Sequence, residues 1–418
     1  MPNITNFTEA QNVLRPYYNN TQTIYSLDVM QALMKHLGDP QNQLKILHVA
    51  GTSGKTSTAY YTSALLKASG KSVGLSVSPH VDTINERLQI DGQPLPEAEF
   101  CAVLGEFIEL VNATDIKPSY FELLAAMAYW EFARRGLDYA VVEVGLGGLL
   151  DGTNVVTRAD KVCIITDIGL DHTEILGDTL SKIAAQKAGI IHDGNQVFMY
   201  QQSDDVMDVV QKVATEHGAS LCTLQSDAQL TRADLPEFQQ RNLGLAVKAV
   251  ESTLQRDSGD QLSDAAIDQA ASIVVPARLE RFTLGNKVVI VDGSHNQQKI
   301  QALLKGVRQL YPNQAIATLC AFVKGSDGRW QSGLDELMHS SGHIVFTSFH
   351  GEQDVPKSSI DPVRLQEYAM QHNFYESSVE LRPHAALAEL LARPEPILLI
   401  TGSFYLLNHI RPVVRELV

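Results

Sequence analysis

Nine short runs rich in β-branched and apolar residues punctuate this chain, at 44–50, 73–77, 139–144, 161–166, 196–200, 287–292, 315–321, 343–347 and 397–401. Between them lie segments with apolar residues at helical spacing, among them 56–69, 121–135, 180–191, 238–254, 299–311 and 384–391. Parallel strands need long crossover connections, usually helical, so strand signals alternating with helix signals predict an α/β fold with mostly parallel sheets. No internal repeat or low-complexity tract breaks the pattern. At 418 residues the chain is longer than one core comfortably serves, so two domains are expected. A polar, glycine-containing stretch at 255–263, one short helix-like segment and then Val274-Val275-Pro276 read as a hinge, which predicts a first domain over 1–276 and a smaller one over 277–418.

Composition narrows the function classes. With 44% hydrophobic and 19% charged residues the chain can bury a core, which excludes intrinsic disorder. Lysine and arginine number 33 against 48 acidic residues, and the net charge of −15 disfavours nucleic acid and anionic membranes as partners. Cys101, Cys163, Cys222 and Cys320 are scattered without a CxxC pair, which suits free thiols in a reducing compartment. The residues after Met1 show no basic segment leading into an apolar run, and no stretch approaches the ~18 apolar residues of a membrane span. A cytoplasmic protein is expected, and the Asn-x-Thr triplets at Asn3, Asn6 and Asn19 are then coincidental.

The run at 44–49 leads into Ala50-Gly51-Thr52-Ser53-Gly54-Lys55-Thr56-Ser57, and a helical segment follows at once. Strand, glycine turn and helix form a phosphate loop. Glycines let backbone N–H groups approach a phosphate, the helix N-terminus adds its positive end, Lys55 reaches the outer phosphates and the Thr56 hydroxyl can touch Mg²⁺. Val49 stands where the general pattern has its first glycine, and the plainer alternative is a glycine turn capping a helix with an exposed lysine.

Three further strand ends carry polar residues: Ser76-Val77-Ser78-Pro79-His80, Glu143-Val144-Gly145-Leu146-Gly147-Gly148, and Asp167-Ile168-Gly169-Leu170-Asp171-His172. Ligands in open α/β sheets sit outside the carboxyl ends of the strands, where these residues converge. Glu143, following an apolar strand, is either a Mg²⁺ ligand or a cap for the glycine loop behind it, and the ligand role is favoured because Mg²⁺ takes hard oxygens. His172 by itself reads as a surface histidine, raised by its place beside Asp171. Lys187 lies in a small, apolar helical segment, where an ammonium either snorkels or has its pKa lowered, and snorkelling is the simpler outcome.

Together these stretches, His48-Val49-Ala50-Gly51-Thr52-Ser53-Gly54-Lys55, Ser78-Pro79-His80, Asn85-Glu86-Arg87, Glu143 to Gly148, Asp151-Gly152-Thr153-Asn154-Val155-Val156, Ile168 to Thr173, Gln186-Lys187-Ala188-Gly189-Ile190, Arg278-Leu279-Glu280, Asp292-Gly293-Ser294-His295-Asn296 and Thr401-Gly402-Ser403-Phe404-Tyr405, resemble in order the signatures of the folylpolyglutamate synthase and dihydrofolate synthase branch of the Mur ligases. The resemblance implies an ATP-dependent ligase that joins L-glutamate to a pterin-linked carboxylate, dihydropteroate or a reduced folate, through an acyl phosphate. It implies that Gly51 to Ser57 hold the ATP phosphates, that Thr56, Ser78, Glu143, His172 and Lys187 serve two Mg²⁺ sites, and that Lys187 is carbamylated by CO₂, which replaces the snorkelling expectation. It also assigns Asn242 and Arg278 to ATP contacts, and Asp292 and His295 to the nucleotide and the incoming amino acid, with domain closure assembling the site. A monomer is the family's usual state.

Several positions depart from the branch's pattern. Ser53 and Thr56 stand for Asn and Gly, Leu149 and Gly152 for Arg and Ala, Ala277 for Gly, and Gln297 for Pro. The stretch from Ile24 and Tyr25 to Asp28 resembles the family's pterin-side helix. His80, Arg87 and Glu122 are expected only on the cleft wall, and Trp130 and Trp330 as packing or surface residues. Two other functions are weighed: the same ligase chemistry on a different small carboxylate, and a nucleotide-binding regulator without turnover. Retention of Lys55, Glu143, His172, Lys187, Asp292 and His295 together speaks against the regulator.

Overall fold

The computed structural model describes residues 4–19, 26–225, 234–325, 329–351 and 356–418, so Asn3, Ile24 and Tyr25 lie outside the described residues. The chain divides into two compact units, Met1–Thr231 with Gln239–Ile273, and Arg232–Phe238 with Val274–Val418. Among the described residues no helix is long and apolar enough to cross a membrane.

The first unit is built on β1 (Lys45–Ala50), β2 (Val73–Ser76), β3 (Gln89–Ile90), β4 (Gln93–Pro94), β5 (Tyr139–Glu143), β6 (Val162–Ile165), β7 (Gln196–Tyr200) and β8 (Ser220–Leu224). Their order is β4-β3-β2-β5-β1-β6-β7-β8, parallel throughout except for β3 and β4. From β1 the chain turns to β2 and β5 on one side and then to β6, β7 and β8 on the other, so the carboxyl end of β1 is the switch point where such sheets bind ligands. Register places Val49 opposite both Glu143 and Ile164, which brings three strand ends level.

Central strands here are apolar on both faces because helices cover both. Helix Tyr120–Arg134 begins with a capping box between Ser119 and Glu122 and buries Phe132 completely. Burying a phenylalanine contributes about 1.5–3 kcal/mol. A Cβ on Gly74 of β2 would lie 2.5 Å from the Phe132 ring, so only glycine lets helix and sheet meet there. Further across the same face Cys163 and Ile165, level with His48 and Ala50 of β1, pack with Ile183, Ala184 and Ile190.

The second unit carries β9 (Glu280–Leu284), β10 (Lys287–Val291), β11 (Ile316–Cys320), β12 (His343–Phe346), a small hairpin of β13 (His350–Gly351) and β14 (Lys357–Ser358), then β15 (Ser377–Val379) and β16 (Ile397–Thr401). Its six-stranded sheet runs β15-β12-β11-β16-β10-β9, with the edge strand β9 antiparallel. Helix Gln297–Leu310 turns Ile300, Leu303, Leu304 and Val307 into the core, where Trp330 is also buried, 5.1 Å from Tyr368. Trp130 packs on Phe107 at 5.5 Å. Both tryptophans are packing residues.

Candidate active site

The loop after β1 is shaped by its neighbours. Gly51 has φ +150°, and a Cβ there would overlap the Thr166 side chain. Thr52 and Ser53 donate their N–H groups to the Asp167 carbonyl at 2.9 and 3.2 Å, and the Thr52 hydroxyl donates to Gly169 O while accepting from Gly169 N–H. Gly54, at φ +89°, precedes helix Lys55–Ala68, and a Cβ on it would overlap Asn242 Oδ1. Ser53 Oγ is buried without a hydrogen-bond partner. A buried hydroxyl is costly unless it is paired, so this loop fits a phosphate oxygen.

Glu143 ends β5 almost fully buried. One of its oxygens accepts from the Thr56 hydroxyl at 2.8 Å and the other from Ser78 N–H at 3.2 Å. Hard oxygens therefore gather beside the phosphate loop, as a Mg²⁺ site requires. Lys187 is buried and donates to Gly51 O at 2.7 Å, so it does not snorkel: a carbonyl far along the chain accepts from it. His172, at φ +49°, is exposed, with Nδ1 3.9 Å from Glu174. Among the described residues no three His, Cys, Asp or Glu side chains gather as a metal-binding group.

Asp151 holds the glycine loop. It accepts from Leu146 N–H at 2.8 Å and from the Thr153 N–H and hydroxyl. Burial raises its pKa, opposed by those hydrogen bonds and by the charge of Lys55. His48 Nε2 reaches the same Thr153 hydroxyl at 2.8 Å, and burial drives its pKa well down, leaving the ring neutral. Of the residues assigned to the cleft wall, Arg87 donates to His80 Nδ1 at 3.0 Å and lies over the Tyr120 ring. Burial and the Arg87 charge hold His80 neutral, while Glu122 serves as the helix cap described above.

In the second unit Asp292 accepts from Leu279 N–H at 2.7 Å and Ser294 N–H at 2.8 Å, and its pKa is raised by burial and opposed by Arg278. The Arg278 guanidinium lies 4.6 Å from the centre of the Phe404 ring. His295 donates from Nδ1 to Gly293 O at 2.9 Å, which leaves Nε2 as an acceptor 3.3 Å from Lys299 Nζ. Asn296 caps helix Gln297–Leu310, and Gln297 fills the first helical position, one that proline also suits. Ala277 sits at φ +54°, a conformation that favours glycine. Its N–H donates to Glu280, which is paired with the buried Arg411.

Sequence reasoning missed Asp167 with Arg241, and the Thr153–Asp151 support of the glycine loop. Nothing local marks the first, which joins residues far apart in the chain; the second is an Asx turn from Asp151 to Thr153, a local signal that was present and not used.

Residues 49–257 match the Mur ligase middle domain family. The folylpolyglutamate synthase of Lacticaseibacillus casei is 30% identical over 410 residues, covering 91% of this chain and 92% of that protein. The solved Mycobacterium tuberculosis folylpolyglutamate synthase complexed with ADP superposes with a TM-score of 0.85 at 26% identity, covering 98% of both chains. E. coli FolC in complex with DHPP and ADP gives 0.82 at 25% identity over 97% of both. With phosphate loop, buried glutamate and buried lysine on one switch point, the chain belongs to the folylpolyglutamate synthase and dihydrofolate synthase family of Mur ligases.

Proposed function

We propose that this protein is an ATP-dependent ligase that joins L-glutamate to a folate-type carboxylate, dihydropteroate or tetrahydrofolate, as a cytoplasmic monomer. The observation that carries this is the junction of Thr56, Glu143 and Ser78 at the mouth of the phosphate loop. A carboxylate is a poor electrophile, so its oxygen first takes the γ-phosphoryl group of ATP. The amine of glutamate then attacks the acyl carbon, and phosphate leaves with that oxygen.

In the loop Gly51 to Ser57 the Thr52 and Ser53 N–H groups are taken by Asp167 O, and the N–H groups from Gly54 onward cradle the phosphates, with Lys55 and the Ser53 hydroxyl completing the cradle. Thr56, Ser78, Glu143, His172 and Lys187 as its carbamate are the proposed holders of two Mg²⁺ ions, which when bound offset phosphoryl charge. As an ammonium Lys187 is a donor and no ligand; carbamylation turns it into an oxygen donor. Asn242, Arg278 and Asp292 are the proposed nucleotide contacts, and His295 serves the incoming amino acid. Residues 1–276 carry the ATP side and 277–418 the amino-acid side. The four free thiols suit a reducing compartment.

The test is ADP release with Mg²⁺, ATP and L-glutamate, comparing dihydropteroate, tetrahydrofolate and no acceptor. Turnover on dihydropteroate establishes dihydrofolate synthesis, and added turnover on tetrahydrofolate establishes tail extension. Silence on both from protein that binds ATP points to a different small carboxylate, with Leu149, 42% exposed beside the glycine loop, as the marker of the change.

A further inference from the structure

Asp167, the residue whose carbonyl takes the Thr52 and Ser53 N–H groups, also holds a partner through its side chain. Arg241, on helix Glu237–Asp257, sets Nε at 3.1 Å from both Asp167 oxygens and Nη2 at 2.9 Å from one. The guanidinium carbon lies 3.9 Å from the centre of the Tyr200 ring, so the arginine is clamped between an aromatic face and a carboxylate. Its side chain is 17% exposed and that of Asp167 is 39% exposed. The backbone beyond Asp167 is tied down as well, with Ile168 N–H donating to Gln202 Oε1 at 2.7 Å. The residue after Arg241 is Asn242, whose Oδ1 abuts Gly54.

We propose that Arg241 and Asp167 form a positioning pair that moulds the phosphate loop and seats Asn242 against it, a role that rests on the nucleotide site proposed above. A planar, forked guanidinium fixes both the distance and the angle of a carboxylate, which a point charge does not. With Asp167 locked, its carbonyl is presented to two successive loop N–H groups, and the remaining loop N–H groups are turned toward the phosphates. Without the lock, only the backbone ties at Ile168 and Gly169 remain, and the Asp167 carbonyl loses the side-chain restraint that aims it at the loop. The pair lies at the rim of the sheet with Asp167 open to solvent screening, so its contribution to global stability is modest and its effect should be concentrated in nucleotide binding.

The experiment titrates ADP with Mg²⁺ into the full-length chain, as wild type, Asp167→Asn, Arg241→Gln and the double variant, and records the ligand-free melt of each. Asp167→Asn keeps the backbone carbonyl and the side-chain shape, so folding is not at issue in that variant. Each single change is expected to weaken ADP binding about tenfold or more, and the double variant to be no weaker than the worse single by more than about threefold, because both remove one interaction. In turnover, KM for ATP rises while kcat at saturating ATP stays within about threefold. Singles that bind ADP as wild type does, or losses that multiply in the double variant, overturn the pair's role. Ligand-free melts that fall in step with affinity overturn it too, since the pair would then be a plain stabiliser. Wild type that fails to bind ADP overturns the nucleotide site itself, an outcome distinct from wild type and variants binding alike.

Discussion

Replacing Gly54 with alanine tests how the phosphate loop is held. At φ +89° an L-residue costs about 1–2 kcal/mol, partly offset by the ~0.4–1 kcal/mol that alanine saves in the unfolded chain. The new Cβ would overlap Asn242 Oδ1 and lie 3.1 Å from Cγ and 3.2 Å from Nδ2. Because this is the end of a side chain, Asn242 swings aside at about 0.5–1.5 kcal/mol. Stability in urea should therefore fall by only about 0.5–3 kcal/mol. Nucleotide affinity should fall further, because loop N–H groups and Asn242 both leave their places. Hydrogen bonds to charged groups contribute about 1.5–3 kcal/mol each, and losing two corresponds to a roughly 100-fold or greater rise in Kd for ADP. Adding Asn242→Ala should return the share of stability lost to the overlap, without restoring affinity. Gly54→Ala protein that binds ADP within threefold of wild type refutes the reasoning.

Lys187→Ala should cut turnover at least about 100-fold, and wild type assayed in CO₂-stripped buffer should recover activity on adding bicarbonate; activity indifferent to bicarbonate contradicts the carbamate. Burial depresses the Lys161 ammonium to about 8, so below that pH both folded and unfolded chains carry the proton. Between about pH 8 and 10.4 only the unfolded chain does, and stability rises with pH by at most ~3 kcal/mol. Urea melts at pH 7.5 and 10 should show this rise in wild type and a smaller one in Lys161→Met, and equal slopes would count against it. Arg411→Met strands the buried Glu280 that also holds Ala277 N–H, costing about 3–5 kcal/mol, whereas Arg411→Met with Glu280→Met should recover most of the loss. A single variant losing under about 1 kcal/mol would show that the pair is not buried as described.

All nine apolar runs read from the sequence became strands, because strands covered on both faces are apolar along their length. Those missed lie mostly at edges or are too short to show a period. Ser220–Leu224 is half-exposed at the end of its sheet, Gln89–Ile90 and Gln93–Pro94 span two residues each, and Glu280–Leu284, at an antiparallel edge, opens with two charged residues and has only Phe282 and Leu284 as apolar positions. The phosphate loop was legible because strand, glycine and helix are contiguous. Lys187 was misjudged on its own residues because its partner, Gly51 O, is a tertiary neighbour, and Arg241 with Asp167 went unseen for the same reason. Glu122 was different: Ser119 followed three residues later by Glu122 is a capping-box pattern, a local signal that was present and not used.

The central claim is that the acceptor carboxylate is activated as an acyl phosphate on this phosphate loop. Acceptor labelled with oxygen-18 in its reacting carboxylate, incubated with the protein, Mg²⁺, ATP and L-glutamate, should yield inorganic phosphate carrying one labelled oxygen per glutamate joined, with one ADP formed. Product that forms with unlabelled phosphate would contradict the acyl phosphate, and with it the chemistry assigned to this site.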